Sequence, residues 1–445
     1  MINGIVASEM LAHEARALLA RLARVKPFVI TETMVPAAAL SPRAIGAIER
    51  YLVAGRRELR ARVTAYLRWL ATPGARHVSP AALQRGFTLL RLRFNVVLTQ
   101  FDIFADVLSQ RSEHDTGLVL SGLDVVAAEA LALPGYYEPP PVICYLDRGH
   151  GAAIRRERTR LPGGGENPVA IIRVPRERMV GSGIASSLVH EVGHQAAALL
   201  DLVDSLRPLL RARHHGGDGN ADPARVAWPY WERWISEIVA DFWSVARVGV
   251  TSTLGLIGVV SLPRVFVFRL NPEDPHPIPW VRVKLSCAMG RALYPHPQWD
   301  HVERLWESFY PPTGLSAELR GVLGALEQTM SEFVELLITH RPASLGGRPL
   351  ADVMDTDLRR PAQLIDSYRA WRASPAQMRE TPPSLAFAII GQARADGRIG
   401  PEEESRTLVE LLHHWALRST LEDAARAAAP PIAAPSIRAL QPSLN

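Results

Sequence analysis

The chain of 445 residues is 47% hydrophobic, enough for a large core and, by length, for two or three domains. Two cysteines, Cys144 and Cys287, exclude a disulfide framework and point to a reducing, cytoplasmic compartment. The net charge of +5 does not indicate a nucleic-acid partner, because nearly all the positive charge is arginine scattered among acids, as on a solvated surface.

The N-terminal stretch MINGIVASEMLAHEARALLARL lacks a basic region followed by an apolar run and carries Glu9, His13 and Glu14. It reads as an amphipathic helix rather than a signal peptide. Ser41 with Pro42, and Ser79 with Pro80, each place an N-cap and a first-position proline before a long helical pattern. A third helix covers about 118–133. Residues 1–134 therefore read as a helical N-terminal domain.

The character changes at LPGYYEPPPVICYLD, where Gly and Pro precede the β-branched runs PVICYL and NPVAIIRVP, the strands of a small sheet. Gly181, Ser182 and Gly183 then lead into a helix, SSLVHEVGHQAAALL, that Ser182 can cap. After the polar loop RARHHGGDGNADPARVAWP comes a second helix, YWERWISEIVADFWSVARVG. The charge-free run between Arg247 and Arg264 is broken by Gly, Ser and Thr and ends at Pro263. It is short for a transmembrane segment, which needs about 20 apolar residues, and reads as core.

Helices fill residues 299–341, and HRPASLGGRPL marks a boundary. These signals bound a central domain at 135–345, a helical C-terminal domain at 346–427 and a disordered Pro/Ala-rich tail at 428–445. The fold class is α+β, mostly α.

In ARADGRIGPEEESRTL, the residues Asp396, Gly397, Ile399 and Glu403 match part of a calcium loop. Gln392 and Arg394, however, stand where calcium needs its first oxygens. The segment reads instead as helix–turn–helix, with Gly400 near the N-cap, Pro401 at the first position and Glu402, Glu403 and Glu404 at the positive end of the dipole. The adjacent His413 and His414 lack metal spacing.

His190 and His194 lie four residues apart, so on a helix they share a face and can present both imidazoles to one ion. Glu191 falls about 100° around the helix from His190, beside the ion rather than on it, where it can act as general base toward a bound water. The arrangement is His-Glu-x-x-His on a helix. A surface helix with two solvated histidines is the competing reading, but the flanks SSLV and AAALL are small or apolar, and buried polar side chains need partners.

A zinc site needs a third ligand. Leu200 occupies the position of a third histidine in the extended motif, and Asp201 and Asp204 lie too far along the axis. His214 and His215 are available in the glycine-rich loop. Glu237 is the better choice, with Asp241 one turn on, where it can orient a histidine. Trp231, Trp234, Ile235, Ile238, Val239, Phe242 and Trp243 surround these two acids, an apolar setting in which acids need something to bind.

HEVGH followed by EIVAD resembles the gluzincin metallopeptidases, in particular the group containing the CAAX prenyl endopeptidases and the bacterial heat-shock membrane proteases. DPHPIPWVRVKL is similar to that group's His-Pro followed by Arg. The resemblance covers roughly residues 165–290. It implies a zincin-like catalytic domain with zinc ligands His190, His194 and Glu237 and catalytic base Glu191. It further implies that His276 helps stabilise the oxyanion and that Arg282 orders the site. Unlike that group, the chain has no unmistakable transmembrane helix.

The expected function is a soluble, zinc-dependent metallopeptidase acting on a peptide or protein substrate, with the NPVAIIRVP strand offering an edge to an extended peptide. The alternative is a zincin-fold binding or assembly module with a structural or idle metal. In either case the helical flanks, about half the chain, offer surface to a protein partner.

Overall fold

The computed structural model describes residues 2–148, 151–161, 165–176, 181–214 and 223–428. Three long helices open the chain: α1 (Ile2–Arg24), α2 (Pro42–Leu70) and α3 (Pro80–Ser109). As expected, Ser41 caps α2 by accepting from the Ala44 amide, and Ser79 caps α3 by accepting from Ala82. The next helix, α4, spans His114–Leu131. It starts a few residues before the expected one.

Strands β1 (Val142–Asp147), β2 (Ala153–Arg155) and β3 (Ala170–Pro175) form one sheet in the order β1-β3-β2. β1 runs parallel to β3, with Val142 opposite Ala170, and β2 runs antiparallel, with Ile154 opposite Ile172. β3 carries NPVAIIRVP and lies in the middle, so both its edges are taken. The expectation that its edge pairs with a peptide is corrected, and the exposed edge belongs to β2.

The sheet separates two buried clusters. Cys144, Leu146, Ile172 and Val174 face one, while Ile143 and Ile171 face the other, with α1–α3. Burial on both faces explains why β1 and β3 read as continuous apolar runs rather than as alternating ones.

The helix bearing the two histidines is α5 (Gly183–Leu199), followed by α6 (Leu202–His214), α7 (Pro223–Val248), α8 (Val250–Val260), the short α9 (Arg264–Val267) and α10 (Pro279–Leu293). The rest comprises α11 (Gln298–Phe309), α12 (Ala317–Thr339), α13 (Pro361–Ala373), α14 (Ala376–Glu380), α15 (Pro383–Ala395) and α16 (Pro401–Ala428). No helix among the described residues is long and apolar enough to cross a membrane. Cys144 and Cys287 are free and buried.

One cluster of buried side chains runs from Val119 on α4, through α5, α7 and α10, to Trp415 on α16. The three-part division drawn from punctuation does not follow this packing: α4, α15 and α16 share the core of the central segment, because their apolar faces close over it. Residues 429–445 of the expected tail lie outside the described residues.

Two further readings turn out differently or as expected. Ser182 does not cap α5 with its side chain; its amide instead donates to the buried Glu404 carboxylate at 2.8 Å. The 396–401 segment forms the expected turn between α15 and α16.

α5 packs closely on α7 because Gly193 has no side chain. A Cβ there would lie 2.8 Å from Ala240 Cα and 2.9 Å from its carbonyl oxygen. On the other side α5 meets α8, where the Ser186 hydroxyl donates to the Ser252 carbonyl at 2.8 Å. Trp243 on α7 donates its indole N–H to the Ala130 carbonyl at 3.0 Å, anchoring α4.

Gly193→Ala should therefore force the two helices apart, at a cost of about 1–3 kcal/mol. A drop of several degrees in melting temperature checks this. Gly321→Ala, at a helical site with open space around the Cβ, should leave the temperature unchanged or raise it.

Candidate metal centre

The α5–α7 contact sets four side chains against one another. On α5 the His190 and His194 rings are 4.8 Å apart and nearly perpendicular. On α7 Glu237 reaches both, with Oε2 at 3.3 Å from His190 Nε2 and Oε1 at 3.5 Å from His194 Nε2. One ligand atom from each of these three residues lies within 4.8 Å of the others, close enough to share an ion. Of the third-ligand candidates, the structure brings Glu237 to the histidines. Asp204 pairs instead with Arg207, and His215 and the His214 side chain are outside the described residues.

Asp241, one turn along α7, stands behind His190 with Oδ1 at 2.8 Å from Nδ1. Arg282 on α10 grips the same carboxylate, donating from Nε to Oδ2 at 2.7 Å and from Nη2 to Oδ1 at 2.8 Å. The carboxylate orients the imidazole, and the guanidinium orients the carboxylate.

His276 precedes α10 and is half exposed. Its Nε2 lies 3.3 Å from Glu237 Oε2, and its Nδ1 lies 2.7 Å from Asp274 Oδ1. The His276 amide also donates to that Asp274 oxygen, at 3.0 Å. Asp274 was missed in the sequence. Its signal is an aspartate two residues before a histidine, the spacing at which a side-chain carboxylate closes on the backbone amide.

Glu191 is buried and lines a cleft of about 120 Å³ together with Ser186, Ser187, Leu256, Val259, Gly151 and Ala152. No hydrogen bond to its carboxylate is present among the described residues.

Charge determines what this centre can hold. Glu191, Glu237 and Asp241 are all buried, and these three carboxyl groups outnumber the one buried guanidinium that faces them, Arg282. Burial disfavours a charged imidazole, yet Asp241 and then Glu237 override it and raise His190 to about 9. Burial likewise works against ionising Glu237, but hydrogen bonds from His190 and His194 hold it well below the usual carboxylate range. Asp241 is held low, against burial, by Arg282 and His190. Glu237 Oε2 is buried and meets the His190 and His276 rings at 3.3 Å without a well-formed hydrogen bond to either. Two imidazole nitrogens, a carboxylate oxygen without a well-formed hydrogen bond and a majority of carboxyl groups together fit a divalent cation.

Compared with known proteins, the chain matches no family description, no curated protein and no solved structure. The assignment of the centre therefore stands on its geometry.

Arg282→Ala should leave Asp241 buried beside Glu237 without its guanidinium partner, with the His190 ring left against it. Side-chain exposures of 11% and 8% make this a buried pair, and breaking such a pair costs about 3–5 kcal/mol. The urea midpoint should fall accordingly.

Proposed function

We propose that the chain is a zinc-dependent metallopeptidase, with His190, His194 and Glu237 as ligands and Glu191 as general base. The observation that carries this reading is the buried Glu191, without a hydrogen bond to its carboxylate among the described residues, beside a candidate ligand set that already has three members. A purely structural site has no use for a further buried carboxylate beside its ligands.

Two imidazoles and one carboxylate are the donor types that zinc accepts at catalytic sites. When bound, zinc supplies Lewis-acid activation of water and of the scissile carbonyl. Glu191 takes the proton from the attacking water and delivers it to the leaving amine. His276, at the cleft mouth and fixed by Asp274, donates from Nε2 toward the developing oxyanion. Arg282 and Asp241 hold the His190 ring in orientation.

The substrate is an extended peptide. Gly151 and Ala152 line the cleft beside Glu191 and lead directly into β2, whose outer edge carries the exposed Ala153 and Arg155. Backbone pairing along that edge draws a peptide across the cleft. The reading places the enzyme in the cytoplasm, with partners meeting its helical flanks.

Purified protein should contain one zinc per chain by elemental analysis, and Glu237→Ala should contain far less. Undiminished zinc in that variant overturns the ligand set.

Glu191→Gln keeps size and removes charge. It should retain zinc while cleavage of a peptide library falls by about 10²–10⁴-fold or more, the usual contribution of a general base. Equal activity in wild type and variant shows that the base lies elsewhere. Wild type that cleaves nothing in any library favours a binding module.

A further inference from the structure

Away from the metal centre, α13, α15 and the start of α16 enclose a second pocket. Tyr368 and Trp371 of α13, Ile390 of α15 and Ile399 of the following turn form its walls, with Met378 beside them. All four wall residues are buried, so the interior is aromatic and aliphatic. At the rim, Arg372 Nη1 lies 2.8 Å from Glu403 Oε1.

The pocket measures about 170 Å³. A dry apolar cavity of about 150 Å³ is large enough to take benzene. The interior therefore accommodates one large apolar side chain and no more.

The rim narrows the ligand further. It presents one guanidinium and one carboxylate side by side, their side chains 66% and 44% exposed. An ion pair this exposed contributes about 0–1 kcal/mol, so its members exchange partners at little cost. A guanidinium accepts a carboxylate in bidentate fashion, and a carboxylate accepts an ammonium. The molecule that offers both charges on one carbon, next to an apolar group of this size, is a free α-amino acid.

We propose that this pocket is a binding site for a free α-amino acid with a large apolar side chain, such as leucine, methionine or phenylalanine. The side chain enters between Tyr368, Trp371, Ile390 and Ile399. The α-carboxylate meets Arg372 and the α-ammonium meets Glu403.

The inference does not depend on the metal centre or on peptidase activity. Glu404, next to Glu403 on α16, accepts the Ser182 amide at the start of α5, the helix that carries the two histidines. The turn 396–400 thus has a use other than calcium, since it carries Ile399 into the wall and sets both glutamates.

The test is isothermal titration of the full-length protein with L-leucine, L-methionine and L-phenylalanine, with glycine as the apolar-free control. The three large amino acids should bind and glycine should not. Arg372→Ala and Glu403→Ala should each weaken binding severalfold, up to about fivefold, the loss expected for an exposed ion pair. Thr407→Trp, at the half-buried rim, should abolish binding by filling the space while the circular dichroism spectrum stays unchanged.

N-acetyl-L-leucine and L-leucinamide each lack one charge and should bind more weakly than leucine. N-acetyl-L-leucine binding as tightly as leucine overturns the zwitterion assignment and points to a peptide C-terminus. Leucinamide binding as tightly points to a peptide N-terminus and overturns it equally. Failure of all three large amino acids to bind wild type overturns the site.

Discussion

The centre depends on how closely two helices approach. Gly193 lies between the two histidines in sequence, on the side of α5 that meets Ala240 of α7, where no side chain fits. That contact lets the Glu237 carboxylate reach both imidazoles. The carboxylate end of a glutamate is only a few bonds from the backbone, so a wider helix spacing would put it out of reach of at least one ring. Buried tryptophans and a phenylalanine pack around the contact, so the charges of Glu237, Asp241 and Arg282 act on one another with less screening than on the surface.

From that contact the supporting parts follow. α10 crosses α7 and carries Arg282 to Asp241, while the turn before α10 carries His276 to Glu237. α8 closes the other flank of α5 through the serine contacts. The sheet is a wall between two apolar layers, with its short edge strand beside the cleft. α5 holds His190, Glu191 and His194, α7 holds Glu237 and Asp241, and α10 holds Arg282, and most of these groups also meet a neighbour on a different element. The polar network is therefore distributed across the fold rather than borne by one loop.

Much of this was legible in the sequence because it rests on local spacing. The caps of α2 and α3 depend on residues a few positions apart. The i,i+4 spacing of His190 and His194, and of Glu237 and Asp241, fixes which side chains share a face. The aromatic surroundings of Glu237 marked it as a buried acid. What escaped depends on distant pairing. The central place of β3 is decided by β1 and β2, and nothing within NPVAIIRVP announces that both edges will be covered. Glu404 looked like one of three dipole-favouring glutamates, and only the fold shows that it is buried against Ser182. Chain punctuation suggested a boundary near 134 and another near 346. Punctuation reports where the chain turns, however, not which core a helix's apolar face joins.

The bond between Glu404 and Ser182 has a consequence for biosynthesis. Its partners are 222 residues apart. A ribosome adding about 5–20 residues per second leaves the start of α5 without this partner for roughly 10–45 s. During that interval the nascent chain already holds both histidines and Glu237 but has not yet made α16. Synthesis thus supplies the two histidines and Glu237 first and the carboxylate that braces the start of α5 last. Chains that stop short of α16 carry the two histidines and Glu237 without the carboxylate that ties down the leading end of α5.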